Sequence, residues 1–136
     1  MQMKYFISCI LGILTSCSYP SFDGEWVRDV RLDNLKLSVC ETGREKQSYE
    51  LQLSDDEKEK LKIWLKTFDG SPADYNTYVP SCILRGETFQ VNIMGERTVI
   101  SFRKGSNPQR VWNQYSRPKT AEDQHMGNWL MQPNRR

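Results

Sequence analysis

The chain has 136 residues, 19 Lys plus Arg against 17 Asp plus Glu, a formal net charge of +2, and aromatic residues at 11%. That length gives one domain, and the aromatic content excludes a disordered tail. The nearly balanced charge supplies no strong field for nucleic acid, so no nucleic-acid partner is expected.

Met1-Gln2-Met3-Lys4 is a positively charged tip, and Tyr5 to Leu14 is an apolar run of about ten residues. A bilayer-spanning helix needs roughly twenty. A charged tip, a short apolar run and small residues before a cysteine are the parts of a secretory signal. A plain cleaved signal, or a buried N-terminal helix or strand, also accommodates the run. The order Leu14-Thr15-Ser16-Cys17 resembles the lipobox of bacterial lipoproteins. The resemblance implies that residues 1–16 leave as signal peptide and that Cys17 is acylated. It further implies a lipidated tether at 17–23 and a single periplasmic globular domain at 24–136. Ser18, where an Asp would favour the inner membrane, implies sorting to the outer membrane, facing the periplasm. One acyl chain binds only reversibly and two or more anchor stably, so the implied first partner is a membrane.

Cys9 leaves with such a signal and Cys17 takes lipid, which leaves Cys40 and Cys82 in an oxidising compartment. A disulfide between them is expected. It would close a loop of about 42 residues and contribute about 4 kcal/mol in the chain-entropy model. Two separate buried thiols are the alternative. A metal pair has no close-spaced ligand partners here, so no metal and no cofactor are expected.

Beyond the tether, Gly24-Glu25-Trp26-Val27-Arg28 opens a run to Leu32 whose imperfect alternation predicts an edge strand. Phe22-Asp23-Gly24-Glu25-Trp26 is similar to the Gly-x-Trp start of lipocalins, which implies a β-barrel holding an apolar ligand. Asp33-Asn34 is a turn signal. Leu35, Leu37 and Val39 alternate with polar residues, and after a polar loop at Thr42 to Lys46 so do Tyr49, Leu51 and Leu53, predicting a hairpin. Ser54-Asp55-Asp56-Glu57 is a capping box with three acids in the first turn. Leu61, Trp64, Leu65 and Phe68 then make one helical stripe, ended by Asp69-Gly70-Ser71-Pro72. Lys58, Lys62 and Lys66 line the far side, either as a headgroup or partner contact or as a solvated face.

Ala73 to Pro80 is an irregular loop carrying Tyr75, Asn76 and Tyr78, residue types common on recognition surfaces. A loop pinned by its own aromatics reads the same. Ser81 to Lys104 predicts a meander, with turns at Arg85-Gly86-Glu87 and Met94-Gly95-Glu96. Val111, Trp112 and Tyr115 show no clear period. Thr120-Ala121-Glu122-Asp123 caps a short helix with Met126, Trp129 and Leu130 as its stripe, weakened by Gly127. The predicted class is α+β: an antiparallel sheet of about five or six strands packed with one main helix, Ser54 to Phe68, and a short C-terminal helix.

Catalytic patterns are missing. His125 stands alone and no Gly-rich phosphate loop or Gly-x-Ser-x-Gly elbow occurs. Asp55 and Asp56 are explained by capping, and Asp69 and Asp74 lack the alternating oxygens of a calcium loop. The expectation is a non-catalytic lipoprotein that binds a periplasmic protein. An inhibitor or immunity protein against an envelope-acting toxin or lytic enzyme fits that type. The expected contact surface is Tyr75, Asn76, Tyr78 and the turns around Arg85 and Glu96. An assembly accessory of an envelope complex is the second expectation, and a lipocalin-like small-ligand carrier the third.

Overall fold

A computed structural model describes residues 27–28, 30–68, 71–72, 79–102 and 113–132. Leu35, the first of the alternating residues, leads into β1 (Lys36–Glu41), which turns back as β2 (Arg44–Glu50). Thr42 and Gly43 have φ of 50° and 76°, the double positive φ of the tight turn whose twist matches a hairpin. The hairpin therefore closes on two residues, not on the longer polar loop expected, and β2 begins earlier than the pattern of Tyr49, Leu51 and Leu53 implies. An irregularity between Val39 and Cys40 leaves Lys46 without an opposite residue, a bulge next to the turn.

Ser54 caps α1 (Asp55–Lys66), with the Ser54 hydroxyl accepting from the Glu57 amide and the Glu57 carboxylate accepting from the Ser54 amide. Next come β3 (Ser71–Pro72), β4 (Pro80–Arg85), β5 (Phe89–Met94), β6 (Arg97–Phe102), β7 (Asn113–Pro118) and α2 (Ala121–Leu130). Thr120 caps α2 with a second capping box, answered by Asp123. The strands form one antiparallel sheet in the order β2-β1-β4-β5-β6-β7-β3. Six strands are full length and β3 is a two-residue edge, so the α+β architecture is as expected. The sheet is open, with β2 and β3 at its margins, where the Gly-x-Trp resemblance implies a closed barrel.

Register puts Leu37, Cys82, Leu84, Val91, Ile93, Ile100 and Tyr115 on one face. Against them pack Leu61, Trp64, Leu65 and Phe68 of α1 and Met126 and Leu130 of α2, all buried. Each such side chain contributes roughly 1.5–3 kcal/mol by leaving water. A Cβ on Gly127 would come within 3.3 Å of Ile93 Cδ1, so the glycine that weakens α2 also lets it approach β5.

Two segments differ from the sequence expectations. Of the run read as an edge strand from Gly24, residues 27 and 28 form a helical turn and 30–32 are irregular. Val27, Val30 and Leu32 are nevertheless buried, and the Val30 amide donates to the Val27 carbonyl at 3.2 Å. A turn places Val27 and Val30 on one side, which an extended strand cannot do. Asn113–Pro118, which shows no strand period, becomes a strand because β6 offers it a complete ladder, Arg97 to Phe102 pairing with Pro118 to Asn113. Such pairing overrides a weak local preference.

Gly86 marks the tightest packing. A Cβ there would lie 2.3 Å from Cε1 of the buried Phe89 ring, while the Gly86 amide donates to the Phe89 carbonyl at 2.9 Å. Gly86→Ala is expected to cost about 1–3 kcal/mol by overpacking, measured as a lowered midpoint in urea unfolding with the slope unchanged.

Candidate functional site

Two polar clusters organise the domain, one inside it and one on its outer surface. The inner one centres on Asp123, which is fully buried. Its carboxylate accepts from Arg117 Nη2 at 2.5 Å and Arg117 Nε at 3.2 Å, from Trp64 Nε1 at 3.0 Å and from Thr98 Oγ1 at 2.9 Å. The Thr120 amide completes the set at 3.1 Å. Arg117 also donates to the Thr67 carbonyl at 3.0 Å and lies 4.4 Å over the Phe68 ring. Burial pushes the Asp123 carboxyl up. The Arg117 hydrogen bonds, the Thr120 amide, the Thr98 hydroxyl and the Arg117 charge outweigh that and hold it below the ordinary carboxylate range. Five hydrogen bonds saturate the carboxylate, so the cluster ties α1, β6, β7 and the cap of α2 together. In the sequence, Asp123 is marked only as a cap. Its second role, as the partner of Arg117 and Trp64, had no periodic signal.

The outer cluster lies on the sheet face opposite the helices. Arg85 Nη1 donates to Ser38 Oγ at 2.6 Å, and Ser38 Oγ donates to Glu45 Oε1 at 3.0 Å. Gln90 Nε2 donates to Asn92 Oδ1 at 3.1 Å. Arg97 Nη2 and Nε donate to Ser116 Oγ at 2.8 and 3.3 Å. Ser38, Asn92 and Ser116 are 0%, 2% and 4% exposed. Short polar side chains, with Ile83 and the buried Val99 among them, therefore form a floor, and two guanidiniums and an amide are held on it. Between β4 and β7 the residues alternating onto this face include Arg85 and Arg97 and no carboxylate. Such a face can recognise carboxylates or other acceptors through preset donors.

Arg85 is thus held in the outer cluster by Ser38. Glu96 is exposed in the β5–β6 turn, where its carbonyl accepts from the Lys119 amide at 2.8 Å. The turns carrying Arg85 and Glu96 lie at opposite ends of β5, about 20 Å apart at ordinary strand rise, so a contact that includes both spans the length of the sheet face. Tyr75, Asn76, Tyr78 and Cys17 lie outside the described residues.

Cys40 and Cys82 are free thiols, not the expected disulfide. Val39 stands opposite Cys82, so Cys82 points into the core with Val39, and Cys40 alternates onto the outer face beside Glu45. Cβ vectors leaving opposite faces cannot be bridged. Burial raises the Cys82 thiol to about 12, with Cys40 adding to it. Cys40 is raised by partial burial and by Glu45, against a lowering by Arg85. Among the described residues no group of three or more His, Cys, Asp or Glu could hold a metal, and no helix is long and apolar enough to cross a membrane. Comparison with protein-family models, with curated proteins and with solved structures finds no match.

Asp123→Asn leaves the Arg117 charge buried and uncompensated, an expected loss of about 3–5 kcal/mol in denaturant unfolding. Because the folded Asp123 is depressed, its contribution is present above the ordinary carboxyl range and is lost as pH falls through its folded value. Below about pH 4 the wild type is expected to lose its advantage over Asp123→Asn, read from unfolding midpoints across that range. Alkylation without reductant is expected to modify Cys40 in the folded protein, slowly, and Cys82 only after unfolding. A disulfide would leave both peptides unlabelled in the mass spectrum.

Proposed function

We propose that this chain is a lipid-anchored envelope protein, held through Cys17, whose domain binds another protein through the outer sheet face around Arg85 and Arg97. The observation that carries the reading is the pair of arginines fixed on Ser38 and Ser116 on a face that neither helix covers. Donors already held in place lose little freedom on binding, and arginine is enriched at protein interfaces. Within this class an inhibitor or immunity protein against an envelope-acting toxin or lytic enzyme is the favoured type, its address supplied by the lipobox-like Leu14-Thr15-Ser16-Cys17. An assembly accessory differs in stoichiometry, because it joins a large complex. A small-ligand carrier needs an apolar cavity where Leu61, Leu65, Phe68, Met126 and Leu130 fill the space between helices and sheet.

The test is detergent extraction of the full tagged chain from bacterial envelopes, followed by mass spectrometry of the proteins retained. One stoichiometric partner, reduced at least tenfold by the double change Arg85→Glu and Arg97→Glu, is the expected result. A set of envelope-complex subunits instead assigns the chain to assembly. Retention unaffected by both substitutions removes the outer face from the reading. Labelled fatty acid incorporated into the wild type and lost in Cys17→Ser checks the anchor.

A further inference from the structure

The two arginines of the outer sheet face keep most of their donors. Register sets Ser38, Ile83, Asn92, Val99 and Ser116 in one row across β1, β4, β5, β6 and β7. Arg85 reaches the serine at one end of the row and Arg97 the serine at the other. A guanidinium carries five N–H donors in a planar fork. Arg85 spends one, from Nη1, on Ser38 Oγ, so its Nε and Nη2 edge remains. Arg97 spends Nε and one Nη2 hydrogen on the single Ser116 oxygen, so the edge formed by Nη1 and the second Nη2 hydrogen remains. Among the described residues neither guanidinium has an ion-pair partner. Glu45 meets Arg85 only through the Ser38 hydroxyl, and the residue opposite Arg97 is Pro118. Strands β4 to β7 contain no carboxylate, and the exposed Glu87 and Glu96 stand in the turns beyond the strand ends.

We infer that the protein partner of this face presents two carboxylates, one for each arginine fork, on a segment lying across the strands along this row. The inference deepens the proposed protein-binding reading and rests on it. The two oxygens of a carboxylate match the two parallel N–H groups of a guanidinium edge, and such charge-assisted pairs are the strong ones. Four strand spacings separate Ser38 from Ser116, about 19 Å, and each guanidinium is held at one of those serines. The two carboxylates are therefore roughly 15–20 Å apart, the reach of about six residues of extended chain. Between them the row offers the half-buried Ile83 and the Asn92 amide, whose oxygen already accepts from Gln90. The middle of the partner segment meets no counter-charge there and is uncharged. The turn acids Glu87 and Glu96 disfavour a continuous acidic tract. This face selects spaced carboxylates, not net charge.

The experiment keeps the full chain in nonionic detergent and adds fluorescent Gly/Ser peptides, with binding read by anisotropy at low salt. The probes carry two glutamates six positions apart, two glutamates two positions apart, or one glutamate. Glutamates two positions apart reach at most about 7 Å and cannot bridge the row. The peptide with the six-position spacing is expected to bind at least fivefold more tightly than the other two. Arg85→Lys and Arg97→Lys keep the charge and remove the fork, and each is expected to abolish that preference, with unchanged unfolding midpoints showing that the variants are folded. Equal binding of all three peptides, no binding of any, or a preference that survives both lysine variants overturns the inference. If the peptides fail while Arg85→Glu with Arg97→Glu still releases the envelope partner, the outer face stands and the carboxylate chemistry falls. If that double change releases nothing, the protein-binding reading falls and this inference falls with it.

Discussion

The buried Asp123–Arg117 pair is the constraint on which the two layers depend. Taking both charges from water costs several kcal/mol each, and the fold offsets this by directing donors from four places at one carboxylate. Trp64 comes from α1, Thr98 from β6, Arg117 from β7 and Thr120 from the cap of α2. The same Arg117 returns to α1 through the Thr67 carbonyl and the Phe68 ring. Apolar contacts alone would allow the two helices to slide over the sheet. Directional bonds to one buried point fix α1 relative to α2, and both relative to β6 and β7.

This fixed helix layer leaves the sheet with two unlike faces. One is apolar and filled. The other mixes short polar residues with Ile83 and the buried Val99, with Arg85, Gln90 and Arg97 held by hydrogen bonds on it. The sheet margins offer less to a partner. β2 alternates charge along Arg44 to Lys46, carries a bulge at Lys46 and ties Lys46 to Glu41, while β3 places Pro72 at the opposite edge. Charged residues, bulges and edge prolines all discourage strand addition. The outer sheet face and the outer side of the helices lie on opposite sides of the sheet.

The two cysteines illustrate how placement governs chemistry. Separated by about 42 residues, they are an economical disulfide on chain-entropy grounds, and β1 and β4 do bring them close. Strand alternation then directs one inward and one outward. Burial at Cys82, and partial burial beside Glu45 at Cys40, keep both as neutral thiols. Thiols attack and oxidise as thiolates, so these two resist reaction by their surroundings and not by a bond between them.

What the chain's order of residues determined by itself is local. Both capping boxes, the stripe Leu61-Trp64-Leu65-Phe68 and the alternation from Phe89 to Ile93 concern residues within a few positions of one another. Their elements appear close to where the sequence places them, because capping and periodic burial act over single turns and pleats. Arg85 was legible as a candidate because it borders a turn, though nothing nearby in sequence announces its hold on Ser38, 47 positions away. The tertiary structure alone decided that Asn113–Pro118 is a strand, that Val27, Val30 and Leu32 pack without a strand, and that the cysteines face apart. It also decided that Asp123 finds Trp64 59 positions earlier in the chain. Each of these depends on pairing or desolvation between distant segments, and the energy of such contacts exists only once the sheet and helices have come together.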